Sequence, residues 1–221
     1  MAIRRVQTTF TKFPSKIISC LGDSLTGNFG TVVKYEQFYP KVLQDSLRAL
    51  GCIVTCQNWG ISGNTTAQMI ARESVQIQRG VPTIAIVFGG ANDAADGSTT
   101  RTNLITLINY LNAQGVSKVI VQGMQYRNLS GAGADTTSAE ETAFAAIRVQ
   151  QKAAVAATTA VYSDSYAFCR ARILAGTDVQ GSNTYHVSST DYHLSAYGHS
   201  VMAACILATI QAQTGWIGAL Q

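Results

Sequence analysis

Short runs of consecutive Ile, Val, Leu and Cys recur along the chain. Between them lie longer segments whose apolar residues return every three or four positions. Continuous apolar runs of strand length predict strands at 16–21, 52–58, 83–88, 117–123 and 159–163. The helical spacing predicts helices at 36–50, 66–79, 100–114, 138–157 and 195–213, the first carrying Phe38, Val42, Leu43, Leu47 and Leu50 on one stripe and ending at Gly51. Strands and helices taken in turn are βαβ units. Strands that are apolar on both faces belong to a parallel sheet covered by helices on both sides. The expectation is therefore an α/β chain, a three-layer α/β/α sandwich around a central parallel sheet of about five strands, in one domain spanning 1–221.

Two stretches carry no clear period. These are "YRNLSGAGADTTS" (126–138) and "FCRARILAGTDVQGSNTYHVSST" (168–190), the second with room for a short helix near its start. Loops of this length in a compact domain are commonly functional covers. There is no internal repeat, linker or low-complexity tract. An open parallel sheet binds its ligands beyond the carboxyl ends of the strands. The residues that follow the first three predicted strands are "GDSLTG", "WGISGN" and "GGANDA", so glycine-rich polar material falls at that edge three times.

Composition narrows the classes without choosing among them. Of 221 residues, 47% are hydrophobic and 13% charged, which suits a packed globule, with solubility resting partly on Ser, Thr, Asn and Gln. The formal charge of +4 is spread thinly, and Arg4, Arg5, Lys12 and Lys16 form no dense basic stripe, so no nucleic-acid partner is expected. The start has two arginines but only a short apolar run, and it predicts neither a signal peptide nor a membrane span. Cys20, Cys52, Cys56, Cys169 and Cys205 have no metal-site spacing and lie in or near apolar stretches. In an extended "CIVTC", Cys52 and Cys56 stand about 13 Å apart at roughly 3.3 Å per residue, too far for a disulfide. Buried free thiols and a cytoplasmic location follow as the expectation.

Nucleophilic serine chemistry needs a hydroxyl, a base in hydrogen-bond reach, a group that orients the base, and donors aimed at the developing oxyanion. Ser24 follows a strand and Gly22, on a tight strand-to-helix turn that exposes its hydroxyl and frees its own N–H. Gly63 lets a main-chain N–H approach a bound carbonyl, and Asn92 offers an amide donor, although each also suits an ordinary turn. Of the three histidines, His193 in "STDYHLSAYGHS" is the base of choice. His186 lies in the loop with a solvated or substrate-facing side chain, and His199 is structural. Asp23 is read as holding the Ser24 turn through backbone hydrogen bonds, and Asp93 as capping the segment after Asn92.

Taken together, "GDSLT", "NWGISGNTT", "GGAND" and "DYHLSAYGH" resemble the four ordered blocks of the SGNH hydrolases, also called GDSL esterases and lipases, across about residues 16–210. The resemblance implies a flavodoxin-like fold and ester hydrolysis through an acyl-enzyme, without metal or cofactor. It makes Ser24 the nucleophile and His193 the general base. The oxyanion hole would comprise the N–H groups of Ser24 and Gly63 and the amide of Asn92. Gly60 competes with Gly63, but the family's donor stands in the "SG" step. One departure concerns the acid. The family places it three residues before the histidine, where this chain has Thr190, whereas Asp191 stands two before. Asp191 is the acid expected, reaching Nδ1 of His193 through a turn one residue tighter; the alternative is that a main-chain carbonyl or the Thr190 hydroxyl accepts the bond and leaves a dyad.

The substrate expected is a small-molecule or carbohydrate ester with a short acyl or acetyl group. Tyr35, Tyr126, Arg127 and Tyr185 are candidate pocket walls. Thioesterase and lysophospholipase activity stay open within the same chemistry. From a different class comes a carbohydrate-binding or virion-associated module with weak turnover. A nucleotide-binding protein is disfavoured, since the first loop has neither phosphate-binding glycine spacing nor a Walker lysine.

Overall fold

Lys16–Gly22 forms the first strand, β1, and in the computed structural model its residues 18–22 are all buried. The structure describes residues 15–27, 33–94, 97–126, 139–178, 185–187 and 191–221. The other strands are β2 (Val54–Gly60), β3 (Ile84–Phe88), β4 (Val119–Gln122) and β5 (Val161–Ser163). They make one parallel sheet in the order β2-β1-β3-β4-β5. The helices are α1 (Tyr39–Ala49), α2 (Thr66–Ile77), α3 (Thr100–Ala113), α4 (Ala139–Ala156), α5 (Ser165–Leu174) and α6 (Ala196–Ala212).

Successive side chains of a strand point to opposite faces, and the core divides accordingly. Ile18, Cys20, Ile84, Ile86, Phe88 and Ile120 pack under Tyr39, Leu43 and Leu47 of α1 and Met202, Ile206 and Ile210 of α6. Leu21, Ala85, Val87, Val119 and Val121 pack under Met69 of α2, Leu104, Leu107 and Leu111 of α3, and Ala154 of α4. The result is the expected three-layer sandwich. Local chemistry sets where the helices begin. Thr65 accepts from Gln68 N as the cap of α2, Asp164 accepts from Ala167 N ahead of α5, and Ser195 accepts from Gly198 N ahead of α6.

Several expected boundaries move. β2 starts at Val54 rather than 52, because Cys52 N closes onto Leu47 O at the end of α1 (3.1 Å), and it continues through Gln57 and Asn58 to Gly60. As an edge strand it needs no unbroken apolar run. α1 begins at Tyr39, with Pro40 in its first turn, after a separate 3-10 turn at Tyr35–Gln37. The turn after β1 is closed by Thr26 N and Gly27 N on Asp23 O (3.1 and 2.9 Å), and the expected passage from it into a helix falls on 28–32, outside the described residues. The helix anticipated near the start of the second irregular stretch is α5. Most of 126–138 lies outside the described residues.

The strand order determines where a site can form. β1 lies between β2 and β3, and at its last residue Gly22 pairs with Gly60 on one side and Phe88 on the other. The order reverses at β1, so the segments after β1, β2 and β3 emerge side by side at one sheet edge.

Candidate active site

The turn after β1 is organised by Asp23. Its Oδ1 accepts from Leu25 N at 2.9 Å, the backbone-holding role expected of it, while the buried Oδ2 has no hydrogen-bond partner among the described residues. Burial pushes this carboxyl up to about 7, against the pull of Leu25 N–H. Ser24, on the next residue, is 5% exposed, and its main-chain N–H donates to no group among the described residues.

The second segment is the turn Ile61–Asn64, closed by Asn64 N on Ile61 O at 3.1 Å. Gly63 is its third residue, with φ +76°, a position that favours glycine. The Gly63 N–H is uncommitted among the described residues, whereas Gly60 N already donates to Asn58 Oδ1 at 2.9 Å. Of the two competing glycines, only Gly63 keeps an uncommitted donor among the described residues. Ile61 N donates to Gly22 O at 3.1 Å, which ties this turn to the end of β1.

After β3, Asn92 directs one amide proton to Asn64 O at 3.1 Å and leaves the other uncommitted among the described residues. Asp93 does more than cap the next segment. Its Oδ1 accepts from Thr66 N (2.8 Å), and its Oδ2 from the hydroxyls of Thr66 (2.6 Å) and Thr100 (2.7 Å). One carboxyl thus binds the starts of both α2 and α3 beside Asn92, an anion at two helix N-termini.

The fourth segment comes from the far end of the chain. His193 Nε2 lies 2.9 Å from Ser24 Oγ, and His193 Nδ1 lies 2.5 Å from Asp191 Oδ1, which also accepts the His193 main-chain N–H at 2.9 Å. An ionised carboxylate only accepts, so Nδ1 carries the ring proton and Nε2 turns its lone pair to the serine hydroxyl. Burial pushes the Asp191 carboxyl up, but the main-chain and ring hydrogen bonds and the charges of His193 and His186 outweigh it and hold it below its ordinary value. The closer spacing of Asp191 is therefore accommodated, while Thr190 falls outside the described residues.

A short antiparallel pairing presents His193. Val187 N donates to His193 O (2.9 Å), Ser195 N to Tyr185 O (3.0 Å), and His186 bridges Leu194. This corrects the expectation for His186, which is 3% exposed because its backbone is paired and its ring is turned inward. His199 is structural: 2% exposed, it accepts from Tyr39 N at 3.4 Å through Nδ1 and joins α6 to α1.

Tyr126 and Tyr185 also differ from expectation. Tyr126 and Tyr185, 4% and 3% exposed, pack inward with Cys169 and Val201 and line no open wall, while Tyr35 is 60% exposed and Arg127 lies outside the described residues. The tyrosine that meets the site is Tyr192, stacked on His193 with ring centres 4.7 Å apart. Sequence reasoning passed over it, although its place between Asp191 and His193 was a signal. All five cysteines are free and buried, and among the described residues no helix is long and apolar enough to cross a membrane.

Known proteins resemble this chain in sequence and in fold. An arylesterase of Vibrio mimicus is 31% identical over 111 residues, 49% of this chain and 54% of that protein, so the match spans about half the relative's length. Among solved structures, the acetyl xylan esterase AlAXEase superposes with a TM-score of 0.72 at 16% identity, covering 88% of this chain and 99% of that one. A lipase/acylhydrolase from Enterococcus faecalis gives 0.70 at 21% identity, over 93% and 97%. At such identities the likeness is one of fold. Sequence goes further, because residues 20–201 match the model of one family and enclose all four segments of the site: the chain belongs to the GDSL-like lipase/acylhydrolase family.

Proposed function

We propose that this chain is a serine esterase that cleaves carboxylic esters through an acyl-enzyme on Ser24. The observation that carries this reading is the unbroken relay from Ser24 Oγ to His193 Nε2 (2.9 Å) and from His193 Nδ1 to Asp191 (2.5 Å), set beside uncommitted donors. His193 takes the hydroxyl proton as Ser24 Oγ attacks the ester carbonyl. Ser24 N–H, Gly63 N–H and the free amide proton of Asn92 receive the oxyanion. As the intermediate collapses, His193 returns its proton to the leaving alcohol. Water then attacks the acyl-serine with the same histidine as base, releasing the carboxylic acid and restoring Ser24. Asp191 stays ionised throughout and stabilises the imidazolium. Protons and acyl groups move only among these residues, substrate and water, so the cycle requires no cofactor.

The substrate proposed is an ester of a short acyl group, acetyl foremost, on an aryl or carbohydrate alcohol. Ile61, 48% exposed beside the Gly63 turn, offers a small apolar contact for such an acyl group. The arylesterase relative and the acetyl xylan esterase fold neighbour are consistent with this choice. The test is a chain-length series of p-nitrophenyl esters together with acetylated sugars, run on wild type, Ser24→Ala and His193→Ala. Both variants should lose turnover, by roughly a thousandfold or more, and Ser24→Ala should resist labelling by an organophosphonate. Full activity in purified Ser24→Ala would refute the assignment, and a preference for long acyl chains would refute the substrate class.

A further inference from the structure

Arg72 lies on the second turn of α2, half-buried, and takes no part in the reaction just described. Its Nη2 donates to Gly22 O at 2.9 Å and its Nε to Asn64 Oδ1 at 2.8 Å. With the Gln76 amide oriented as its neighbours require, Nη1 meets the Gln76 oxygen, and the Gln76 nitrogen donates to Glu73 Oε2 at 3.0 Å. Among the described residues Arg72 makes no ion pair. A guanidinium withdrawn from water and spent on neutral acceptors is an expensive way to stabilise a fold. Burial lowers its pKa from the ordinary arginine value, with Glu73 and Asp23 only offsetting the shift.

The two principal acceptors are specific. Gly22 stands two residues before Ser24, and its carbonyl also accepts Ile61 N–H from the Gly63 turn. Asn64 follows Gly63 directly, and its main-chain carbonyl accepts the amide of Asn92 at 3.1 Å. The planar fork of one arginine therefore grips the nucleophile turn with one nitrogen and the glycine turn with another, and the second turn in turn holds Asn92. Three donors from three separate strand ends can face one oxyanion only if those ends keep a common register. Past Gly22 and Gly60, the main chains of the two turns are joined among the described residues by the single bond from Ile61 N to Gly22 O (3.1 Å), so side chains must share in enforcing it.

Building on the esterase reading above, we propose that Arg72 is a positioning residue for the oxyanion donors. It sets the Ser24 turn against the Gly63 turn through Gly22 O and Asn64 Oδ1, and it steadies Asn92 through Asn64. Because the donors matter most when charge develops, the effect belongs to the transition state more than to substrate binding. A lysine cannot replace the fork, since its single ammonium does not span both acceptors in the same geometry.

The experiment is steady-state hydrolysis of p-nitrophenyl acetate by wild type, Arg72→Met, Arg72→Lys, Asn64→Ala, Asn92→Ala and the Arg72→Met/Asn92→Ala double variant, with circular dichroism to monitor folding. Arg72→Met should lower kcat by about ten- to a hundredfold with KM changed less than about threefold, and Arg72→Lys should recover only part. The double variant should lose less than the product of the single losses, because both act on the same donor. Should Arg72→Met fail to fold, Asn64→Ala, which leaves the guanidinium in place, must show the same fall in kcat. A folded Arg72→Met or Asn64→Ala with kcat within about twofold of wild type, a loss confined to KM, or a fully multiplicative double variant overturns the proposal. A wild type unable to hydrolyse the ester overturns the esterase reading as well, whereas an active wild type with an indifferent Arg72→Met overturns this inference alone.

Discussion

His193 and Asp191 are separated by a single residue, and that spacing raised the question of whether a carboxylate or a neutral acceptor orients the ring. Asp191 Oδ1 receives both the main-chain N–H and Nδ1 of His193, so the short spacing folds the carboxyl back beneath its own histidine. Tyr192, the residue between them, is free to stack on the imidazole instead of pointing away. An amide at 191 could still accept one hydrogen bond but would bring no charge to the imidazolium. Asp191→Asn is therefore expected to lower kcat on a short-chain ester by about a hundred- to ten-thousandfold at neutral pH, measured against wild type under saturating substrate. A loss smaller than about threefold would assign the chemistry to a dyad. The residue types needed here were legible in the sequence. The pairing of Asp191 with His193 was not, because it depends on turn geometry.

The elements that present His193 are held by contacts far from Ser24. Arg172 on α5 forks onto Asp178 (2.6 and 3.0 Å), Tyr185 donates to the same carboxyl (2.6 Å), and Tyr197 at the start of α6 donates to it as well. The Arg172 hydrogen bond, which outweighs the opposing effect of burial, and the two tyrosine hydroxyls hold Asp178 down to about 2. Gly198 completes the clasp by close approach, since a Cβ there would stand 2.0 Å from Tyr185 O, a backbone atom that cannot swing aside. Gly198→Ala should therefore push the 185–187 segment off α6. The expected cost is about 1–3 kcal/mol of stability in urea denaturation, with a parallel fall in kcat as His193 drifts from Ser24. Unchanged stability and activity would mean that the segment does not seat His193. The sequence indicated α6 by its period, but the inward packing of Tyr126 and Tyr185 was invisible there, because aperiodic loops carry no pattern that marks which side faces the core.

Across the whole molecule, buried ionisable groups oppose one another as pH changes. Burial pushes Glu73 and Asp23 up to about 7, and burial, followed by the charge of His193, lowers His199 to about 3. Each carboxyl keeps its proton in the folded chain through a window in which the unfolded chain has released it, so its contribution to stability falls as pH rises from the ordinary carboxylate value to about 7. His199 acts in the opposite direction. The unfolded chain takes up its proton below about 6.5 while the folded chain refuses it down to about 3, so stability falls on acidification. Glu73→Gln separates these effects. The stability of wild type relative to this variant, from urea midpoints, should decline as pH rises from about 4.5 to about 7. A constant difference across that window would show that Glu73 ionises normally in the folded protein.

By itself the sequence determined the parallel sheet under two helical layers, the single edge where glycine-rich turns gather, and the serine, glycine, asparagine and histidine that stand there. Those features follow from each residue's own burial and from turn chemistry, both local in the chain. Only the tertiary structure decided that, among the described residues, Gly63 and not Gly60 keeps an uncommitted N–H, that Asp191 reaches His193, that His186 is buried, and that Arg72 joins two turns. Each of these depends on a partner brought near by strand order and helix packing, as Ser24 and His193 meet across 169 positions of sequence. Periodicity records which side of an element faces inward, and hydrogen-bond partners at such separations leave no trace in it.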